Sequence, residues 1–314
     1  MEAAAGQIMS LSEDTLVAWL AEQRHLPESL VPVGIGDDMA QINLSKEYSA
    51  LITTDMLLEG VHFDLSECTL EQAGYKAMAV NLSDCAAMAT IPLAAVVAVA
   101  LPKTVTPNDL KQIHTGLLRA ADQFDCPLVG GDITKWRNSS SLAINVSMLS
   151  RPGASVPVLR SGAKVGDSIC VTGTLGGSLS GKHLTFTPRV KEALALTRLV
   201  TIHAMMDLSD GLSTDLRRLC ACSRVGAMIE AKAIPISETA TRSPDPVTAA
   251  LNDGEDFELL FTVPKDQTET LLQRWAEPVA ITPIGTVTDT GRIELMQADG
   301  RIHLLRQAGF DHFK

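Results

Sequence analysis

The chain has 314 residues, 46% of them hydrophobic and only 4% aromatic, with a formal net charge of −11. That acidity excludes a protein that grips nucleic-acid phosphates through a lysine- and arginine-rich surface, and the most apolar run, 91 to 101, falls short of the roughly 20 residues that cross a bilayer. What remains is a globular α/β or α+β enzyme of two domains or one large one, with a core of Ala, Val, Leu, Ile and Met.

Helical apolar spacing at Leu16, Val17 and Leu20 predicts a first helix over 11 to 25, with Ser10 as its N-cap and Glu13 completing a capping box. After the glycine turn "VGIGDD", the runs 39 to 44 and 49 to 54 fit a hairpin across "SKEY". The second run is expected to stop at "TTD", where Thr53, Thr54 and Asp55 stand at its end. A helix follows from about 70 to 89, capped by Thr69 and Gln72, with Asn81 and Asp84 three apart on one face. A buried strand at 93 to 101 leads to a helix opened by Thr106 and Pro107. "PLVGGD" reads as a strand that ends in Gly130, Gly131 and Asp132, and 141 to 149 alternates as a further strand.

The stretch from 150 to 167 is rich in Pro, Gly, Ser and Arg and lacks a period, so it divides the chain into domains at 1–150 and 151–314. The second half predicts a strand at "SICVTG", a glycine-rich segment from 174 to 183, helices near 189 to 200 and 211 to 223, and a strand at 226 to 231. A proline-rich loop, the segment "GEDFELLFTV", a helix near 266 to 276 and two or three last strands follow. Strands alternating with helices in both halves indicate two α/β or α+β lobes.

The six cysteines, at 68, 85, 126, 170, 220 and 222, form no CxxC pair, which predicts reduced thiols in a cytoplasmic protein. Cys220 and Cys222 read as helix packing. The opening "MEAAAGQIMS" is not expected to be a secretory leader. The histidines at 25, 62, 114, 183, 203, 303 and 312 share no zinc spacing.

Carboxylates recur where apolar runs meet turns: Asp37 and Asp38 in "GIGDD", Asp55 in "TTD", Asp132 in "GGD", Asp207 and Asp210 in "DLSDG", with Asp84 added from a helix. Singly, each is an ordinary turn or capping residue. Together they predict a cation between them, because like charges are not gathered on several elements without compensation. Magnesium suits them better than calcium, for no EF-hand spacing is present, and it takes one or two carboxylates together with water and substrate phosphates. There is no G-x-x-x-x-G-K-[ST] loop and no dinucleotide fingerprint.

The ordered set "GIGDD", "TTDMLLEGVHF", "GYKAMAVNLSDCAAMA", "VGGD", "RSGAKVGDSICVTGTLG", "DLSDGLSTDL" and "GEDFELLFT" resembles the thiamine-monophosphate kinase family, within the ATP-binding superfamily of aminoimidazole ribonucleotide synthetase. The resemblance runs from near residue 10 to "GFDHF". It implies a two-lobed α/β (α+β) fold, a homodimer paired through its N-terminal sheets, and ATP-dependent phosphorylation of thiamine monophosphate with several magnesium ions. By the same resemblance Asp38, Thr53, Thr54, Asp55, Asp84, Asp132, Asp207 and Asp210 would hold metal. Gly130, Gly131, Arg160 and Ser209 would contact ATP, while His62, Glu255 and Phe310 would contact the thiamine phosphate. Asp37 is a neighbour of this set. No catalytic base is expected.

Two departures from the family pattern stand out: Asp253 and Phe257 where the pattern has glycine and tyrosine, and a short segment around 174 to 189 that carries Lys182 and His183. The alternatives are a superfamily relative acting on another acceptor, a metal-dependent phosphohydrolase, and a non-catalytic metal-binding scaffold. Selenophosphate synthesis would call for a cysteine in an N-terminal glycine-rich loop, and none precedes Cys68.

Overall fold

Strand alternation and helix capping account for most of the architecture in the computed structural model, which describes residues 13–23, 27–138, 141–306 and 308–310. The predicted cap Ser10, the histidines at 25 and 312, and the end of "GFDHF" lie outside these. The first helix, α1 (Glu13–Glu22), is described from Glu13 and buries none of its residues.

Five strands form the first sheet: β1 (Ala40–Asn43), β2 (Ser49–Leu58), β3 (Thr90–Leu101), β4 (Leu128–Lys135) and β5 (Ala143–Pro152), in the order β1-β2-β5-β3-β4. Pairing is antiparallel except between β3 and β4, and that parallel step is carried by α3 (Pro107–Ala121), as a same-direction pair requires a crossover. Both α2 (Leu70–Ala87) and α3 begin with the predicted capping boxes, at Thr69 with Gln72 and at Thr106 with Asp109. Against α3, α2 packs without a gap: a Cβ built on Gly74 would collide with the Ile113 carbonyl, and one on Gly116 with the Glu71 carbonyl.

Two strand ends differ from expectation. β2 continues through Asp55 to Leu58, because its pairing with β5 persists through Thr53↔Met148, Thr54↔Ser147 and Asp55↔Val146. β4 likewise runs past Asp132 to Lys135 along β3. Side chains therefore alternate where turns were expected. Thr53 and Asp55 face the helices, while Thr54 faces the other side together with exposed Ile52 and Met56.

The second sheet has seven strands: β6 (Ser168–Thr172), β7 (Ala204–Asp207), β8 (Gly226–Glu230), β9 (Leu259–Val263), β10 (Ile281–Thr288), β11 (Ile293–Met296) and β12 (Ile302–Leu304). Their order is β12-β11-β8-β10-β6-β9-β7, with only β8 and β11 parallel. Helices α4 (Val190–Leu199), α5 (Leu212–Ser223), α6 (Pro246–Asn252) and α7 (Lys265–Arg274) accompany it. α6 lies inside the expected proline-rich loop: Asp245 caps it and Pro246 opens it, a position where a missing N–H costs nothing.

α2 is buried almost throughout from Ala73 to Ala87 because it packs on its own sheet and also on α4 and β7. One apolar cluster accordingly runs from Met78, Val97 and Met148 through Leu196 to Met205 and Phe261. Met206 and Leu260, on the opposite face of β7 and β9, join a second cluster with Val171 and Leu216. No helix among the described residues is long and apolar enough to cross a membrane.

Candidate active site

Where α2 meets β2 and β7, a cavity of about 1030 Å³ opens between the two sheets. Asp84 comes from α2, Asp207 from the end of β7, and Asp38 from the turn before β1. One oxygen from each lies within 4.8 Å of the others. Asp55 joins them from β2, and its Oδ2 is buried with no hydrogen-bond partner.

Neighbouring hydroxyls aim these carboxylates. Thr53 donates to Asp84 Oδ2, and Ser83 Oγ donates to Asp207 Oδ2 at 2.5 Å. Arg160 forms a two-pronged pair with Asp38, Nε to Oδ2 at 3.0 Å and Nη2 to Oδ1 at 2.7 Å, while its backbone N–H donates to Asp37. Burial works against the Arg160 charge, but Asp38, Asp207 and Asp37 outweigh it and hold the guanidinium firmly protonated.

The acids crowd one another. Desolvation and then the Asp38 charge push Asp207 up to about 7, and desolvation likewise pushes Asp37 and Asp55 up to about 6. Asp84 rises well above the usual carboxylate range, from burial first and then the charges of Asp55, Asp207 and Asp38. Three converging oxygens, a buried unpartnered fourth and protons held too tightly make a donor set that fits a hard divalent cation.

Of the residues expected from the sequence, Asp37, Asp38, Thr53, Asp55, Asp84, Arg160 and Asp207 gather here. Ser209, Asp210, Glu255, His62 and Phe310 line the same cavity, but Asp210 is drawn to Arg218, which also takes Asp14 of α1 and Asp215. Thr54 borders the cavity, yet its hydroxyl turns to β5 on the opposite sheet face, 2.9 Å from Ser147 Oγ. Gly130, Gly131 and Asp132 do not line it; they sit mid-strand on β4, the exposed edge of the first sheet. Register places Gly130 beside Val96 and Ser147, in line with Thr54, and Asp132 beside Ala98 in the next such row.

Sequence reasoning passed over Lys76, whose side chain is fully buried against Glu255, along with Ser83 and Arg218. The signal for Lys76 was available: it is a lone cation within the otherwise apolar "GYKAMAV". Of the departing residues, Asp253 accepts from the Gly177 N–H at 2.8 Å, and Lys182 pairs with buried Glu258, which Arg189 also grips. His183 lines the cavity, its Nδ1 2.9 Å from the Ser178 carbonyl.

Comparison with known proteins places this geometry among relatives. Residues 36–151 match the N-terminal domain of AIR synthase related proteins, and residues 173–297 match the C-terminal domain. A thiamine-monophosphate kinase from Rhodopirellula baltica is 38% identical, the alignment covering 96% of this chain and 97% of the relative. Among solved structures, AaThiL complexed with AMPPCP and TMP superposes with a TM-score of 0.83 at 29% identity, over 99% of this chain and all of the other. The thiamine-monophosphate kinase from Stenotrophomonas maltophilia K279a gives 0.73 at 31% identity, over 91% and 95%. Two AIR synthase-type domains in sequence, with an acid cluster between them and full-length likeness to named kinases, establish that this chain belongs to the thiamine-monophosphate kinase family.

Proposed function

We propose that the chain transfers the terminal phosphoryl group of ATP to thiamine monophosphate, giving ADP and thiamine diphosphate. The convergence of Asp38, Asp84 and Asp207 from three separate elements carries this reading. Two polyanions must meet, and each unit like-charge pair at ~4 Å costs about 4 kcal/mol at an effective dielectric of ~20. Asp38, Asp55, Asp84 and Asp207 would hold magnesium, which when bound neutralises phosphate oxygens of donor and acceptor.

The protein's own side chains do the positioning. Thr53 and Ser83 fix the carboxylates through their hydroxyls, and Arg160 holds Asp38 with both prongs of a partly exposed guanidinium. Because the acceptor's second pKa is about 6, its attacking oxygen is already deprotonated near neutrality and no side chain need act as base. That oxygen bonds to the γ-phosphorus in line as the bond to the bridging oxygen of ADP breaks, with no phosphoenzyme.

A homodimer belongs to this reading. The side of the first sheet away from α2 and α3 exposes Ile52, Met56, Leu93 and Val96, and this apolar face suits a second copy. Thr54, Gly130 and Asp132 share that face, which supports a role for them at or across the pairing rather than in the cluster within one chain. The free cysteines are consistent with a cytoplasmic setting. The test is ADP release from ATP and magnesium with and without thiamine monophosphate. Dependence on the acceptor is expected, and equal release without it would overturn the assignment in favour of a phosphohydrolase.

A further inference from the structure

Lys76 is a charged side chain with no exposed surface in the middle of an apolar helix. Its ammonium touches the carboxylate of Glu255 and donates to the His62 carbonyl at 2.5 Å. These partners stand on separate parts of the fold. His62 closes the turn after β2, where its N–H donates to the Leu58 carbonyl. Glu255 lies in the loop before β9, at a φ of +55° that side chains seldom adopt, with its N–H fixed 2.6 Å from the Ser209 carbonyl. Both line the cavity, and Glu255 keeps 22% of its side chain exposed.

A buried ammonium is costly unless something offsets it, and here a single carboxylate does. Burial pulls the Lys76 pKa down and Glu255 pulls it back up. Lys76 lies in the cavity wall but leaves none of its side chain exposed, so a ligand meets the groups it holds. It therefore acts through the groups it holds, and it holds one from each half of the chain.

We propose that Lys76 is a positioning residue for acceptor recognition, aiming the Glu255 carboxylate and the His62 turn together at the amine-bearing, cationic ring system of the acceptor. This rests on the functional reading above, in which the acceptor is thiamine monophosphate. A carboxylate braced from behind presents its free oxygen in one direction, so an aminopyrimidine donor or a thiazolium cation meets a preformed partner. ATP carries no cationic ring to pair with this carboxylate.

The experiment compares Lys76→Met, Glu255→Gln and the double variant with the wild type, measuring KM for each substrate and kcat. Lys76→Met is expected to raise KM for thiamine monophosphate at least tenfold, leaving KM for ATP within twofold and kcat within about threefold. The double variant is expected to lie within threefold of Glu255→Gln, since once Glu255 is neutral only the His62 carbonyl is left for Lys76 to hold. An unchanged KM for thiamine monophosphate in Lys76→Met, or an equal rise for ATP, overturns the inference.

If Lys76→Met alone does not fold, the double variant carries the test, because it buries no unpaired charge. A KM more than threefold above that of Glu255→Gln then sinks the inference, and a match upholds it. Wild-type protein with no turnover of thiamine monophosphate would instead overturn the functional reading, and this inference with it.

Discussion

Asp84 is the most crowded acid of the site, and two consequences of opposite sign follow from removing its charge. Asp84→Asn is expected to lower turnover by at least about a hundredfold while leaving the fold intact, as steady-state kinetics beside circular dichroism would show. The same substitution should raise the melting temperature of chelator-treated protein near pH 8, because it deletes one of several mutually repelling buried charges. Proton linkage extends the argument to the group. Asp55 and Asp207 hold their protons up to about 6 and 7, against an ordinary value of 3.8. Between those limits the folded chain binds more protons than the unfolded one, so stability falls as pH rises through that window. In the presence of EDTA, thermal melts should therefore give a lower midpoint at pH 8 than at pH 5, and added magnesium should restore it at pH 8. A midpoint that climbs with pH in EDTA would contradict the assignment of these shifts to crowded carboxylates.

Between elements, close approach decides what is tolerated. Gly116 allows α3 to lie on the Glu71 carbonyl of α2, so Gly116→Leu forces the helices apart. Overpacking of this kind costs roughly 1–3 kcal/mol, and a fall in the urea midpoint with little change in slope is the expected measurement. The elements themselves were largely readable. The caps at Thr69 and Thr106 and the apolar run of β3 have local causes, and local causes are visible in a sequence. The ends of β2 and β4 were not, because Thr53 to Asp55 and Gly130 to Asp132 look like turns until β5 and β3 supply partners that lie far along the chain. That single error carries into the site: once β2 continues, Thr53 and Thr54 must face opposite sides, so only Thr53 reaches Asp84. The acid cluster could be suspected from repeated aspartates, whereas the Lys76 and Glu255 contact joins positions 179 apart and needs the fold to reveal it.

The molecule presents a face that its described residues do not cover. Val96 stands on the open side of the first sheet, 43% exposed and beside Gly130. Val96→Asp is expected to convert the proposed dimer to a monomer, seen as a halved mass by light scattering on a sizing column, and to depress activity if Thr54 and Asp132 serve across the pairing. An unchanged mass would place the dimer contact elsewhere. The interior has the contrary property, for the cluster that begins under the first sheet ends against β7 and β9 of the second. A gene cut between its two sheets would leave each product with a raw apolar flank in place of a finished surface. The intact chain should accordingly melt as one endotherm, with calorimetric and van't Hoff enthalpies in agreement, and halves expressed separately should be recovered as aggregates until they are produced in the same cell.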